Sequence, residues 1–354
     1  MAKIGGRDQD QHVAEGGTAV QVGGNVTILQ AGLSVADVRT VALGVFRENF
    51  QEMQGIAAET VRARAEEMTE AYLTKLLAEN PSGLDQANDP DFQYALFAAQ
   101  RGYARSGDKD LGDLLVDLLV DRSKHDQRDI LQIVLNESIG TAPKLTENQL
   151  AVLAVLFLFK YTQHLGVGNL EQFGTYLDLH VQPFAGSLVK NAACYQHLEF
   201  AGCGATSLGQ IMLEGILAKT YQGLFCLGFP AEEIVNQGIS IGADPRFFIP
   251  CLNDPLKLQV NAINKDRLEK DFEALQIPVD DGPKIVRLFD LALMTHETIR
   301  EKCVALRPYM ASVFQSWSES EMKSFTLTSV GIAIGHANIK RLVGEFANLS
   351  IWIN

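Results

Sequence analysis

Apolar residues recur at helical spacing along most of the chain, and the breaks between them are rich in Gly, Pro, Asn and Asp. Ser34 with Asp37 three residues on is a helix-capping signature, and the period then runs through Phe46, Phe50 and Met53. A charged run from Ala57 to Leu77 continues it, with a kink expected near Gly55 and a stop at Asn80-Pro81-Ser82-Gly83. Two further helices, Asp91–Arg105 and Leu111–Arg122, are joined by Ser106-Gly107-Asp108 as an antiparallel pair. Asp129–Ser138 and Thr146–His164 follow, the second capped by Thr146 and almost wholly apolar. From Asn169 to Phe346 the pattern stays helical, with punctuation at Gly202-Cys203-Gly204, Gly228-Phe229-Pro230, Gly242-Ala243-Asp244-Pro245 and Asp281-Gly282-Pro283.

Two stretches have a different period. Val20 and Val22, then Val26 and Ile28, alternate with polar neighbours around Gly23-Gly24-Asn25, which predicts a minimal hairpin or a single bent strand. Leu349, Ile351 and Ile353 alternate with Ser350 and Trp352, which predicts a C-terminal strand. A lone hairpin is marginal in water, so the first stretch needs an edge from the second or from another copy of the chain. No fixed repeat aligns, and no alternation of strand and helix indicates a parallel sheet. The expected fold is therefore mainly α: an irregular multi-helix body with a small β element from the N- or C-terminal segments, or both. The expected organisation is a tail with a short β-tag over 1–33, an acidic helical region over 34–142, and a helical core over 143–354 ending in that strand.

Composition narrows the function classes. The chain has 354 residues with a formal net charge of −13, which disfavours direct nucleic-acid binding by bulk electrostatics. Residues 34–142 hold 11 Lys/Arg against 19 Asp/Glu, read as a solvated helical surface. Met1–Asp8 has no apolar h-region, and the apolar runs at Leu150–Phe159 and Ser324–Ile339 are too short to span a bilayer. Five cysteines without an export signal read as reduced thiols, so a cytosolic protein without stable membrane insertion is expected.

The candidate chemistry is sparse. Cys194, His197 and Cys203 offer thiols and an imidazole within ten residues, but a fourth ligand would have to come from afar, from Cys226 or His180, so no metal is expected. The glycine-rich run Ala201–Gly209 could expose Cys203 as a nucleophile beside free backbone N–H groups. A helix–helix corner explains the same residues, and no Lys-Ser/Thr pair follows to make a P-loop. His296-Glu297 begins like a zincin motif, but Arg300 stands where the second histidine should be. Asp280-Asp281 reads as a capping pair.

The terminal segment Leu327–Arg341 is the best candidate. Gly331 and Gly335 share one helix face and should let another backbone approach closely. His336 and Lys340 share another face, and with Asn338 and Arg341 they could bind an anion or a nucleotide. The competing expectation is a hydrogen-bonded core histidine and basic groups that offset a helix C-terminus. Catalytic candidates are thus Cys203 and His336, ligand-binding candidates Asn338, Lys340 and Arg341, and no cofactor is identifiable.

Two resemblances bear on function. The stub Val20-Gln21-Val22-Gly23-Gly24-Asn25-Val26-Thr27-Ile28, followed by a capped helix, resembles the N-terminal β-tags of bacterial proteins linked to anti-phage conflict systems. Asn148-Gln149-Leu150, Tyr195-Gln196-His197-Leu198-Glu199 and Gly335–Arg341 are similar to an uncharacterised bacterial family, with no reaction attached. Together they imply a helical interaction or assembly protein, a homo-oligomeric sensor or adaptor in anti-phage defence. The alternative is a hydrolase or nucleotide-acting enzyme built on Cys203 or His336. A third expectation is an effector that exposes Leu150–Phe159 to membranes.

Overall fold

The apolar run Leu150–Phe159 is the axis of the molecule. Thr146 and Gln149 form a reciprocal capping box that starts the helix, and every residue of the run is buried. A helix apolar on all sides must be covered on all sides, and the other elements supply that cover. The computed structural model describes residues 33–49, 56–344 and 346–354. The Val20–Ile28 stub, and the kink expected near Gly55, lie outside the described residues.

In chain order the helices are α1 (Val35–Asn49), α2 (Ile56–Glu79), α3 (Pro90–Ser106), α4 (Lys109–Arg122), α5 (Ile130–Thr141) and α6 (Glu147–Tyr161). Next come α7 (Leu170–Tyr176), a π-helical turn at Leu177–Val181, α8 (Gln182–Ala185), α9 (Ala192–Phe200), β1 (Gly204–Thr206) and α10 (Leu213–Thr220). Then follow α11 (Glu232–Asn236), β2 (Phe248–Cys251), β3 (Asp254–Val260), α12 (Lys265–Leu275) and α13 (Asp281–Leu291). The chain continues through α14 (His296–Leu306), α15 (Met310–Ser318), β4 (Phe325–Leu327) and α16 (Ser329–Val343).

The fold is mainly helical, with two antiparallel two-stranded sheets among the described residues. Capping follows the sequence: the Ser34 hydroxyl accepts from Asp37 N–H while the Asp37 carboxylate accepts from Ser34 N–H. Gly107, at φ +66°, ends α3 and turns the chain into α4.

Among the described residues the β structure lies outside the C-terminal alternation. β1 pairs with β4, and β2 pairs with β3 as a hairpin. The C-terminal alternation is no strand: Leu349–Ile351 is a 3₁₀ turn capped by Asn348. Its side chains anchor individually, with Leu349 and Ile353 buried and Trp352 Nε1–H donating to Tyr161 O at 2.8 Å. Among the described residues no strand edge is offered to it, and the period-2 pattern is left unpaired there.

The boundary expected between residues 142 and 143 does not interrupt the apolar core. One apolar cluster runs from Val38 through α2–α6 to α16 and Ile353. A second, smaller cluster is built from Cys226, Phe229, Phe247, Phe248, Val260, Ile285 and Phe289. The chain from about residue 222 to 292 is thus a lobe inserted between α10 and α14, two helices that pack directly on each other. No helix among the described residues is long and apolar enough to cross a membrane.

Candidate functional site

α16 is set by its glycines. Thr328 caps it, accepting Gly331 N–H at 3.2 Å and donating to Gly202 O at 2.6 Å. A Cβ on Gly331 would overlap the Cys203 carbonyl, and one on Gly335 would sit 2.9 Å from Leu153 O on α6. The two glycines let α16 lie backbone against backbone, as their spacing predicts.

That close approach drives the helix's polar face against α2 and α4. Lys340 Nζ lies 2.8 Å from Glu79 Oε2, 3.1 Å from Asp121 Oδ1 and 3.6 Å from Asp117 Oδ1. Lys124 reaches Asp121 at 2.8 Å and Glu79 at 3.3 Å, and Lys75 reaches Asp117 at 2.5 Å. Three ammonium groups thus face three carboxylates. Burial pushes the Asp121 and Glu79 carboxyls up, but Lys340 and Lys124 outweigh it and hold both below their ordinary range. At Asp117, which is fully buried, burial outweighs Lys75 and the carboxyl is raised. For Lys340, burial is outweighed by Asp121, Glu79 and Asp117, so the ammonium is held charged.

His336 stands one turn before Lys340 and is 2% exposed. Its Nε2–H donates to Ala347 O at 2.6 Å, a tautomer assigned from the carbonyl acceptor, which leaves the buried Nδ1 lone pair without a partner. Burial lowers its pKa, and the imidazole is neutral at pH 7. Phe346, Trp352 and Phe157 surround it, with ring centroids at 5.4, 5.9 and 6.1 Å. His336 and Lys340 line a cavity of about 410 Å³ together with Glu79, Asp121, Lys124 and His125.

The other candidates are elsewhere. Asn338 Oδ1 accepts from Arg341, whose Nη1 binds Asp110 Oδ1 at 2.6 Å, on a different flank of α16. Cys203 is fully buried, and burial pushes its thiol up to about 12, the reverse of an activated nucleophile. It does not line the His336 cavity. Ala201–Gly209 holds the turn after α9 and then β1, so it is not the helix–helix corner expected from its glycines. Cys194 is buried, and His197 Nδ1 lies 2.9 Å from Gln149 Nε2. No three His, Cys, Asp or Glu among the described residues are grouped to hold a metal ion. Arg300 binds Glu214 at 2.6 Å, and Asp281 accepts from Ser240 and Ile241 across the lobe instead of capping its own helix.

One charged group escaped the sequence reading. Lys160, in the last turn of α6, donates to Phe325 O at 2.7 Å and lies 5.3 Å from the Trp317 ring centroid. Burial, unopposed by any carboxylate, lowers its amine to about 8. The available signal was a lysine directly after ten apolar residues, where a helix end offers an ordinary explanation.

Fold and site together define a helical protein braced by an internal, charge-balanced network, with an inserted lobe. The chain belongs to an uncharacterised protein family, whose profile matches residues 32–353. No curated protein and no solved structure matches it.

Proposed function

We propose that the chain works by protein–protein contact, as an assembling sensor or adaptor in bacterial anti-phage defence, and not by catalysis at α16. The observation that carries this reading is the bonding of the terminal-helix groups. Lys340 is spent on carboxylates of α2 and α4, Arg341 on Asp110, and the Nε2–H of His336 on the Ala347 carbonyl. A catalytic base and nucleophile need mutual reach, and Cys203 and His336 have none through a shared cavity. Residues that carry the resemblance likewise brace the body: Gln149 holds His197 and the Cys194 carbonyl, and Tyr195 holds Ser320 and the Val189 carbonyl.

The defence role is supported by the resemblance of Val20–Ile28 to conflict-system tags. The membrane-effector reading has no support, because the apolar run it requires is the buried axis of the body. The test is the mass in solution of the full chain and of a variant lacking residues 1–32. The full chain should form a discrete oligomer, and the truncated one should fall to a smaller species or lose its protein partner in a pull-down. Equal masses and equal partner recovery would defeat the assembly reading.

A further inference from the structure

Where the lobe joins the body, a cavity of about 660 Å³ is lined by Lys160, Lys219 and Lys323 against a single carboxylate, Asp266. This is a positive hollow in a chain whose formal net charge is −13. None of the three lysines makes an ion pair among the described residues. Lys160 donates to the Phe325 and Lys323 carbonyls, Lys323 donates to Ser318 O, and Lys219 is exposed. Everywhere around α16 the same chain pairs its buried lysine with carboxylates, so the omission here is local.

A partly buried ammonium that faces only carbonyls and an aromatic ring carries a desolvation cost that an apolar residue would avoid. Position 160 follows ten apolar residues and packs beside Trp317, where a methionine would extend the same surface. An anionic occupant would supply the missing counter-charge. The walls also carry Phe159, Ile211 and Ile216, so the occupant has a carbon body as well as a charge. Three lysines against one aspartate leave an excess of two positive charges, which fits a phosphate monoester at neutral pH better than a carboxylate.

We propose that this cavity binds a small organic phosphate monoester, its dianion held by Lys160, Lys219 and Lys323 and its carbon body laid against Phe159, Ile211 and Ile216. The site is independent of the assembly reading. It also predicts its own pH dependence: with the free Lys160 amine at about 8 and the second pKa of the monoester at about 6, the dianion binds best between the two, and above pH 8 its binding requires Lys160 to take up a proton.

Phenyl phosphate is the probe, followed by calorimetry and by the emission of Trp317, which lies beside Lys160. Saturable one-to-one binding is expected, tighter than that of inorganic phosphate and weakening between pH 7 and pH 9. Lys219→Met, at an exposed position that leaves the fold intact, should weaken it by about tenfold, and Lys160→Met should abolish it. Should Lys160→Met fail to fold, the paired variant Lys219→Met/Lys323→Met takes its place. Absence of saturation, or affinity unchanged in these variants, overturns the site. Equal affinity for inorganic phosphate overturns the organic body.

Discussion

The helical body and the inserted lobe solve the burial of charge in opposite ways. In the lobe, the buried Asp281 carboxylate is satisfied locally, by the N–H groups of Ser240 and Ile241 and the Ser240 hydroxyl, 40 or 41 residues away. Burial raises its pKa, but these hydrogen bonds and Lys284 prevail and hold it below the ordinary range. In the body, Lys340 is satisfied by the Glu79, Asp117 and Asp121 carboxylates, on two other helices, with Asp121 and Glu79 lying 219 and 261 residues away. A carboxylate bound by backbone needs one well-formed turn, whereas a lysine bound by three carboxylates needs the whole body assembled. The lobe should therefore behave as a local unit and the body as a global one.

The sharpest way to break that contrast is Lys340→Met. Removing the ammonium leaves Asp117 and Asp121 buried with less compensation, and the expected loss is about 3–5 kcal/mol of global stability in denaturant unfolding. A loss under about 1 kcal/mol would show the network to be ornamental. Phe289→Ala, in the lobe core, removes a fully buried ring and should cost about 3–5 kcal/mol, but locally. Hydrogen exchange should show lobe amides losing protection while those of α6 and α16 keep theirs. Uniform loss would merge the two regions into one unit.

Gly335→Leu tests the approach of α16 to α6. Overpacking against Leu153 O and Phe157 should cost about 1–3 kcal/mol in chemical denaturation. A melt like that of the parent would defeat the close-packing argument. His336 sharpens the body side through pH. Burial sets its folded pKa below the unfolded value of about 6.5, so the stability it contributes is present above that pH and is lost as pH falls through the folded value. Between pH 7 and pH 5 the parent should lose more melting temperature than His336→Phe, and parallel curves would contradict this. The smallest effect is expected at the exposed Lys265–Asp290 pair on the lobe, where Lys265→Ala should change stability by about 0–1 kcal/mol.

Much of the body was legible because its signals are local. The Ser34/Asp37 and Thr146/Gln149 caps, the break at Asn80–Gly83 and the Gly107 turn each act within a few residues. The Gly331/Gly335 face was legible too, since four-residue spacing between glycines has a direct packing consequence. The β2–β3 hairpin was missed: Pro250 and Pro255 interrupt its strands, although Leu256, Leu258 and Val260 alternate with Lys257 and Gln259. The Leu349–Ile353 alternation was misread because a period of two needs a partner edge, and the described residues do not supply one. At the candidate site, the sequence showed that His336 and Lys340 share a face. It could not show that Glu79, Asp117 and Asp121 would meet them, because nothing in the local pattern of α2 or α4 marks those carboxylates as inward-facing.

The placement of α16 has a consequence for how the molecule comes into being. Its contacts with α4, α5 and α6 form the middle of the body, and the Glu79–Lys340 contact closes a loop of 261 residues. During synthesis, α2 and α4 leave the ribosome long before the helix that neutralises them. Until then their carboxylates and apolar flanks await a partner still unmade, and closing so long a loop costs entropy before any contact repays it. Such a body completes itself only once α16 has reached α2 and α4. The lobe, whose contacts span tens of residues, can be finished while the rest is still waiting.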